Sequence, residues 1–227
     1  MPGFSGAQSG HPLKVYVVNF SNPGSQRKIK VRFFVYLPMP NTQLLALLHL
    51  LLPEAAESVA QLTRCFEYRA LQKDEIVLQA GDQCEAFYLV ESGYLSTCYE
   101  QEGVDIYIHF HLEGSIATDY RNAKAGIPSP FTIKAAEKSG IWVLKLKELE
   151  ALCYAHPDIM VFGRRMIGHI ALNQHADDVL LKMYAPAARY AYIETNRPDL
   201  LQRVPLSKLA SYLGMNRRTL TRIRGNK

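Results

Sequence analysis

Acidic residues are missing from both ends of this 227-residue chain: none stands in residues 1–38 and none in 203–227, although there are 21 Asp and Glu in all. The first stretch carries five Lys and Arg and the last carries seven, which leaves 14 basic against 21 acidic residues in 39–202. An acidic body of this kind repels a polyanion and leaves phosphate contact to the basic C-terminal head. Cysteine is scarce as well. Cys65, Cys84, Cys98 and Cys153 lie far apart with no Cys-x-x-Cys pair, which argues against a zinc ribbon or a disulfide framework and for reduced thiols. Long apolar runs are missing: 33–37 ends at Pro38 and 44–52 at Pro53, both too short to span a bilayer. Arg27, Lys28, Lys30 and Arg32 precede them, but the long polar lead, the prolines and the lack of a small-residue cleavage site argue against a signal peptide. A cytoplasmic protein with no membrane partner is expected. A phosphate-binding glycine loop, a nucleophile elbow and paired carboxylates at strand ends are all missing, so no enzyme and no catalytic residue is expected. His109 and His111 sit two apart on a strand, and His169 and His175 on a helix, and no Asp, Glu or Cys completes an evident ligand set with them in sequence; no metal is expected.

What is present is concentrated near the C-terminus, in VPLSKLASYLGMNRRTLTRIR at 204–224. Leu206, Leu209, Tyr212 and Leu213 fall at helical spacing, Gly214 stands where a left-handed residue ends a helix, and Asn216 is placed to cap a second one. Ala210 is small where the two helices cross, and Leu220 and Ile223 give the second helix a narrow apolar stripe. The pattern predicts a helix-turn-helix. Arg217 with Thr221, and Arg218 with Arg222, form two adjacent rows on the face away from that stripe. Such a face suits a major groove, where arginine can bond guanine O6 and N7 and threonine can meet a base edge or a thymine methyl. Arg217, Arg218, Thr221 and Arg222 are therefore expected to face bases, with Arg224 and Lys208 on phosphates and Asn216 at the helix start. Seven basic residues and no acidic one in 203–227 support double-stranded DNA as the partner.

Upstream, residues 1–38 are rich in Gly, Ser, Pro and Asn, with two short strand-like pieces at 15–20 and 31–36. They are expected to be a disordered, loosely attached extension, with Met39 as the alternative start. From 39 the pattern gives a helix capped by Asn41 or Thr42 and running to Leu52, Pro53, and a second helix through Ser58, Val59, Leu62 and Phe66. Residues 68–147 then read as short strands between turn signals, a small antiparallel barrel or jelly roll. In 105–111, Ile106, Ile108 and Phe110 alternate with Tyr107, His109 and His111. A short helix at 148–155 leads to a long one from Asp158 towards Met183, whose apolar faces include Met160, Val161, Met166, Ile167, Ile170 and Leu172. Pairing with a second copy is the simplest way to bury them, and a dimer suits palindromic DNA.

This order of parts, with KDEIVLQAGD (73–82), AFYLVESG (86–93), LEG (112–114) and NRRTLTR (216–222), resembles the Crp/Fnr family of transcription regulators over about residues 40–224. The resemblance implies an α+β chain: a cyclic-nucleotide-binding-type jelly-roll sensor at 39–155, a dimerisation helix at 156–184 and a helix-turn-helix domain at 185–227. It also implies a homodimer reading a near-palindromic site, with RNA polymerase as a candidate partner. Arg217 and Arg222 correspond to the first and last arginines of the family's recognition motif, while Arg218 replaces the acidic residue often found between them. The chain stops soon after Arg224, so the β-hairpin wing is expected to be truncated or absent. The stretches corresponding to the family's ligand pocket, 115–120 and 128–131, place Thr118, Asp119, Ser129 and Phe131 at an effector pocket. Ser129 stands where the phosphate-binding arginine would be, and Pro130 has no amide hydrogen to offer. A buried phosphate without its cation loses on the order of 2 kcal/mol, so no cyclic AMP binding is expected and any effector is an unknown small molecule. The family's iron–sulfur sensors use an N-terminal cysteine cluster, which is missing here. A switch would act by repacking the barrel against the long helix. The competing expectation is an interaction module that keeps a basic tail but has lost specific DNA recognition.

Overall fold

The computed structural model describes residues 13–21, 28–36, 43–52 and 56–225. The expected cap at Asn41 or Thr42, the start at Met39, Pro53 and the residues beyond Gly225 lie outside them. The two strand-like pieces near the N-terminus are longer than expected: β1 (Leu13–Ser21) and β2 (Lys28–Tyr36) pair antiparallel as a two-stranded sheet of their own.

Helices α1 (Gln43–Leu51) and α2 (Ala56–Arg64) follow. The backbone N–H groups of Gln43 and Leu44 both donate to the Glu91 carboxylate, at 3.1 and 3.3 Å, so a residue from the sandwich satisfies orphan donors of the first turn of α1. Phe66, expected to close α2, instead opens strand β3 (Phe66–Leu71). Its i+4 spacing from Leu62 fits a helix, but its ring belongs to the cluster that the sandwich shares with α1, and pairing with the end of the sheet prevails.

The sandwich adds β4 (Ile76–Leu78), β5 (Ala86–Ser92), β6 (Leu95–Gln101), β7 (Val104–His111), β8 (Ile116–Ala117), β9 (Thr132–Ala135) and β10 (Ser139–Lys145). One sheet runs β3-β10-β5-β8 and the other β4-β9-β6-β7. Between them Leu71, Leu78, Val90, Leu95, Ile133 and Ile141 are buried. Gly93 must be glycine: its φ is +76°, and a Cβ would lie 2.7 Å from the Lys138 carbonyl oxygen. A short helix α3 (Tyr120–Ala125), not expected from the sequence, sits between β8 and β9 and is capped by Asp119.

The strict alternation expected along 105–111 does not hold. The β6–β7 register slips between Thr97 and Cys98, which pair with His109 and Tyr107, so Ile108 is an extra residue on the bulged strand. Tyr107 and Phe110, three apart, are consequently both buried, with their rings stacked at 5.7 Å.

Helix α4 (Leu146–Ala155) leads into α5 (Pro157–Met183), 27 residues long. One face of α5, with Ile159, Phe162, Met166 and Ile170, packs on α1 and the outside of the first sheet. Met160, Leu172 and Met183 on the other side are exposed. The chain ends with α6 (Pro186–Asn196), α7 (Pro198–Arg203), α8 (Leu206–Tyr212) and α9 (Arg217–Gly225). No described helix is long and apolar enough to cross a membrane.

Candidate nucleic-acid interface

α8 and α9 cross on a shared core. Leu209, Ala210, Tyr212, Leu213 and Leu220 are buried together with Tyr190, Ile193 and Leu200 of α6 and α7, and Ile223 packs against them. The turn is fixed three times over. Gly214 sits at φ +61°, the Met215 N–H donates to the Ala210 carbonyl at 3.0 Å, and the Asn216 Oδ1 accepts the Thr219 N–H at 2.8 Å. Arg189 ties this turn to the end of α5, donating to the carbonyls of Leu213 (2.8 Å), Tyr184 (2.8 Å) and Leu181 (2.7 Å). It is a positioning residue that the sequence reading did not find.

On the outer side of α9 the structure brings Arg217, Arg218, Thr221 and Arg222 around one shallow depression, all four exposed. Among the described residues the three arginines have no hydrogen-bond or ion-pair partner for their guanidinium groups. The Thr221 hydroxyl donates to the Arg217 carbonyl at 3.0 Å. Arg224 is exposed beside them. Lys208 is not in this group: its Nζ lies 5.0 Å from the centroid of the Tyr107 ring on β7.

That contact belongs to a seam joining the head, α6–α9, to the sandwich. The core that holds α8 and α9 continues without a break into Tyr94, just before β6, Cys98 of β6, Tyr107 and Phe110 of β7 and Leu180 of α5. The bulge at Ile108 contributes directly, because the Tyr107 N–H donates to the Ser211 Oγ of α8 at 3.0 Å. At the centre stands Asp177 of α5. It accepts from His109 Nδ1 at 2.9 Å, from the Tyr212 hydroxyl at 2.8 Å and from Arg197 at 3.4 Å. Arg197 also donates to the Tyr212 oxygen and to the Phe110 carbonyl, each at 2.9 Å. Burial opposes the charge on Asp177, but the hydrogen bond from His109 and the Arg197 charge outweigh it and hold the carboxyl below its usual range. Burial raises the Tyr212 phenol, which therefore stays protonated as a donor. At the edge, Arg203 spans Glu113 and Glu137, and its carbonyl accepts from the Tyr94 hydroxyl.

His109 and His111 do lie side by side, their ring centroids 5.9 Å apart, but each has its own partner. His109 takes Asp177, and His111 Nε2 lies 2.8 Å from Thr97 Oγ1. Burial, with His109 and Arg197 nearby, pushes His111 down to about 3, so it is neutral at physiological pH. Among the described residues no three His, Cys, Asp or Glu gather as metal ligands would.

The four residues assigned to an effector pocket are occupied locally. The Thr118 hydroxyl donates to the Ala86 carbonyl at 3.1 Å, Asp119 caps α3 and accepts from Asn122, and the buried Ser129 hydroxyl both donates to and accepts from the backbone of the half-buried Phe131. None of the four lines the groove formed by Cys84, Lys124, Lys145, Lys147 and Glu150.

Residues 68–156 match the family model of the cyclic nucleotide-binding domain. No curated protein matches the sequence. Among solved structures, FixK2 from Bradyrhizobium japonicum aligns with a TM-score of 0.57 at 17% identity, covering 71% of this chain and 83% of that one. A CooA mutant from Carboxydothermus hydrogenoformans gives 0.57 at 16%, covering 79% and 83%. CLP, a c-di-GMP-responsive global regulator that links cell–cell signalling to virulence gene expression in Xanthomonas campestris, gives 0.55 at 15%, covering 76% and 91%.

Proposed function

From a chain that has the Crp/Fnr fold built around a cyclic nucleotide-binding domain, we propose a DNA-binding transcription regulator that works as a homodimer on a near-palindromic site. The observation that carries this reading is the outer face of α9. It presents Arg217, Arg218 and Arg222, unpartnered among the described residues, together with Thr221, on a helix whose opposite face is anchored by the buried Leu220. α8 and its turn hold that helix, and Asn216 and Arg189 keep the turn rigid. Arg224 flanks the face as a phosphate contact, and Lys208 joins it only by leaving the Tyr107 ring. The second copy docks along the side of α5 that carries Met160, Leu172 and Met183; Gly168 there has open space around it and allows a close approach. With two copies the α9 helices repeat about the dimer axis, as a palindrome requires.

The sandwich is the sensor. Its effector is not cyclic AMP on this reading, because the segment that the resemblance sets against a cyclic phosphate offers the Ser129 hydroxyl, already engaged with Phe131, in place of a cation. A signal in the sandwich reaches the head through β7, whose bulge bonds Ser211 and whose His109 holds Asp177. Any effector works only through a difference in affinity between the seam-closed arrangement and another.

Purified protein titrated with DNA from upstream of its own gene, and with a scrambled duplex, over a series of salt concentrations tests this. At least ~10³-fold tighter binding to one site is expected of a specific regulator. Binding to neither duplex at low salt, or equal binding to every natural promoter fragment tried, counts against it.

A further inference from the structure

Only Tyr184 and Ala185, both extended, join α5 to the head before Pro186 opens α6. Left to itself, so short a joint pivots about its own φ and ψ. Arg189, in the first turn of α6, spans it. Its Nε donates to the Tyr184 carbonyl at 2.8 Å and its Nη2 to the Leu181 carbonyl at 2.7 Å, both at the end of α5. Its Nη1 donates to the carbonyls of Leu213, at 2.8 Å, and Gly214, at 3.4 Å, at the end of α8. No carboxylate pairs with this guanidinium among the described residues. Its charge lies against the carbonyl ends of two helices, and the planar fork lets one side chain hold both at once. A second tie lies a turn earlier, where the Tyr212 hydroxyl at the end of α8 donates to Asp177 of α5. From Asp177 to Tyr184 the helix rises about 10 Å. Two ties spread along that length fix an angle, where one would leave a pivot. The spacing of two half-sites depends on such an angle, because each added base pair shifts one half-site by ~3.4 Å and turns it by about 35°.

We propose that Arg189, with the Tyr212–Asp177 bond as its second point, is the positioning residue that sets half-site spacing. It holds α8 and α9 at one angle to α5, and so determines how far apart and how turned the two α9 faces stand. This rests on the homodimeric regulator reading above. Arg203 lies outside the joint, because Glu113 and Glu137 tie it to the sandwich and not to α5.

Selection of the full-length protein on a randomised duplex pool gives its half-site, and duplexes carrying two copies of it, with the spacer stepped one base pair at a time, give its spacing preference. The wild type is expected to bind one spacing about tenfold or more tighter than the neighbouring ones. Arg189→Lys keeps the cation and loses the fork. It is expected to enrich the same half-site and to bind a single copy as the wild type does, with the preference between neighbouring spacings reduced to about threefold or less. Tyr212→Phe, which keeps the buried ring, should move the same readout in the same direction by less, and Arg203→Lys should leave it unchanged. Circular dichroism melts made first show which variants fold; should Arg189→Lys not fold, Tyr212→Phe decides. A wild-type spacing preference in the folded variants of the joint overturns the proposal. Loss of half-site sequence and single-copy binding in Arg189→Lys overturns it too, since the arginine then only holds the head together. A wild type that enriches a half-site but binds every spacing equally also overturns it while DNA reading stands. Enrichment of no sequence at all removes the regulator reading itself.

Discussion

Arg197 and Arg203, in the seam, each have 27% of the side chain exposed and spend their guanidinium groups on Asp177, Tyr212, Phe110, Glu113 and Glu137. Arg217, Arg218 and Arg222, on the outer face of α9, are exposed and spend theirs on nothing described. Side chains of one type thus divide into those that hold the head to the sandwich and those left over for a partner. Charge count alone does not separate them, since Arg203 and Arg222 contribute equally to the basic tail. The number of internal acceptors each has found does.

The largest way to break this contrast is Arg197→Met. It leaves Asp177 buried with one fewer donor and strips the Phe110 carbonyl, and loss of one partner of a buried pair costs about 3 kcal/mol. Urea unfolding at neutral pH should show it, whereas Arg222→Ala should stay within about 0.5 kcal/mol of wild type in the same assay. Equal stability losses in the two variants would erase the distinction between seam and face.

On DNA the ranking reverses. Arg222→Ala should weaken a specific site by about 1–3 kcal/mol in a titration at fixed salt, with its unfolding curve unchanged. Arg203→Lys should leave the DNA contacts alone, because its partners are Glu113 and Glu137.

The seam is also the part that titrates. His111 is held neutral with its pKa pushed down to about 3, below the value of about 6.5 it regains on unfolding. Its contribution to stability is therefore complete above the unfolded value and is lost as pH falls from there towards the folded one, at up to about 1.4 kcal/mol per unit. The urea midpoint should drop between pH 7 and pH 4.5, and His111→Gln, which keeps a partner for Thr97 but cannot take up the proton, should flatten that drop. An unchanged slope in the variant would place the titration elsewhere.

The two regions also differed in how far they could be read from sequence. The α9 face was legible because everything that builds it is local: Gly214, the Asn216 cap, and Leu220 opposite Arg218 and Arg222 all lie within about a dozen residues of one another. The seam was not. Asp177 meets His109 across 68 positions and Tyr212 across 35, and nothing in the spacing of any of them announces it. The bulge at Ile108 defeated a strict two-residue period, so Tyr107 and Phe110 could not be placed on one face in advance. Phe66 fits the helical spacing from Leu62 as well as a strand, and only its pairing in β3 separates the two.

A smaller effect sharpens the contrast from within the head. Asn216→Ala removes the acceptor for the Thr219 N–H at the start of α9 and should cost about 1 kcal/mol in urea unfolding, the ordinary worth of a helix cap. A value near zero would mean that Gly214 and the Met215–Ala210 bond hold the turn without it.

Lys208 tests the boundary itself, because it has a claim on both regions. Sequence places it among the phosphate contacts, and the structure sets its ammonium over the Tyr107 ring. A half-exposed cation over a ring is worth about 0.5–1 kcal/mol, so Lys208→Ala should lower stability by that much or less. If the lysine leaves the ring for DNA, the same variant should weaken all duplexes alike and reduce the slope of log affinity against log salt by about one. If it stays, stability changes and the salt slope does not. A change in both would mean that the seam loosens when DNA binds, and that Tyr107 and a phosphate compete for one ammonium group.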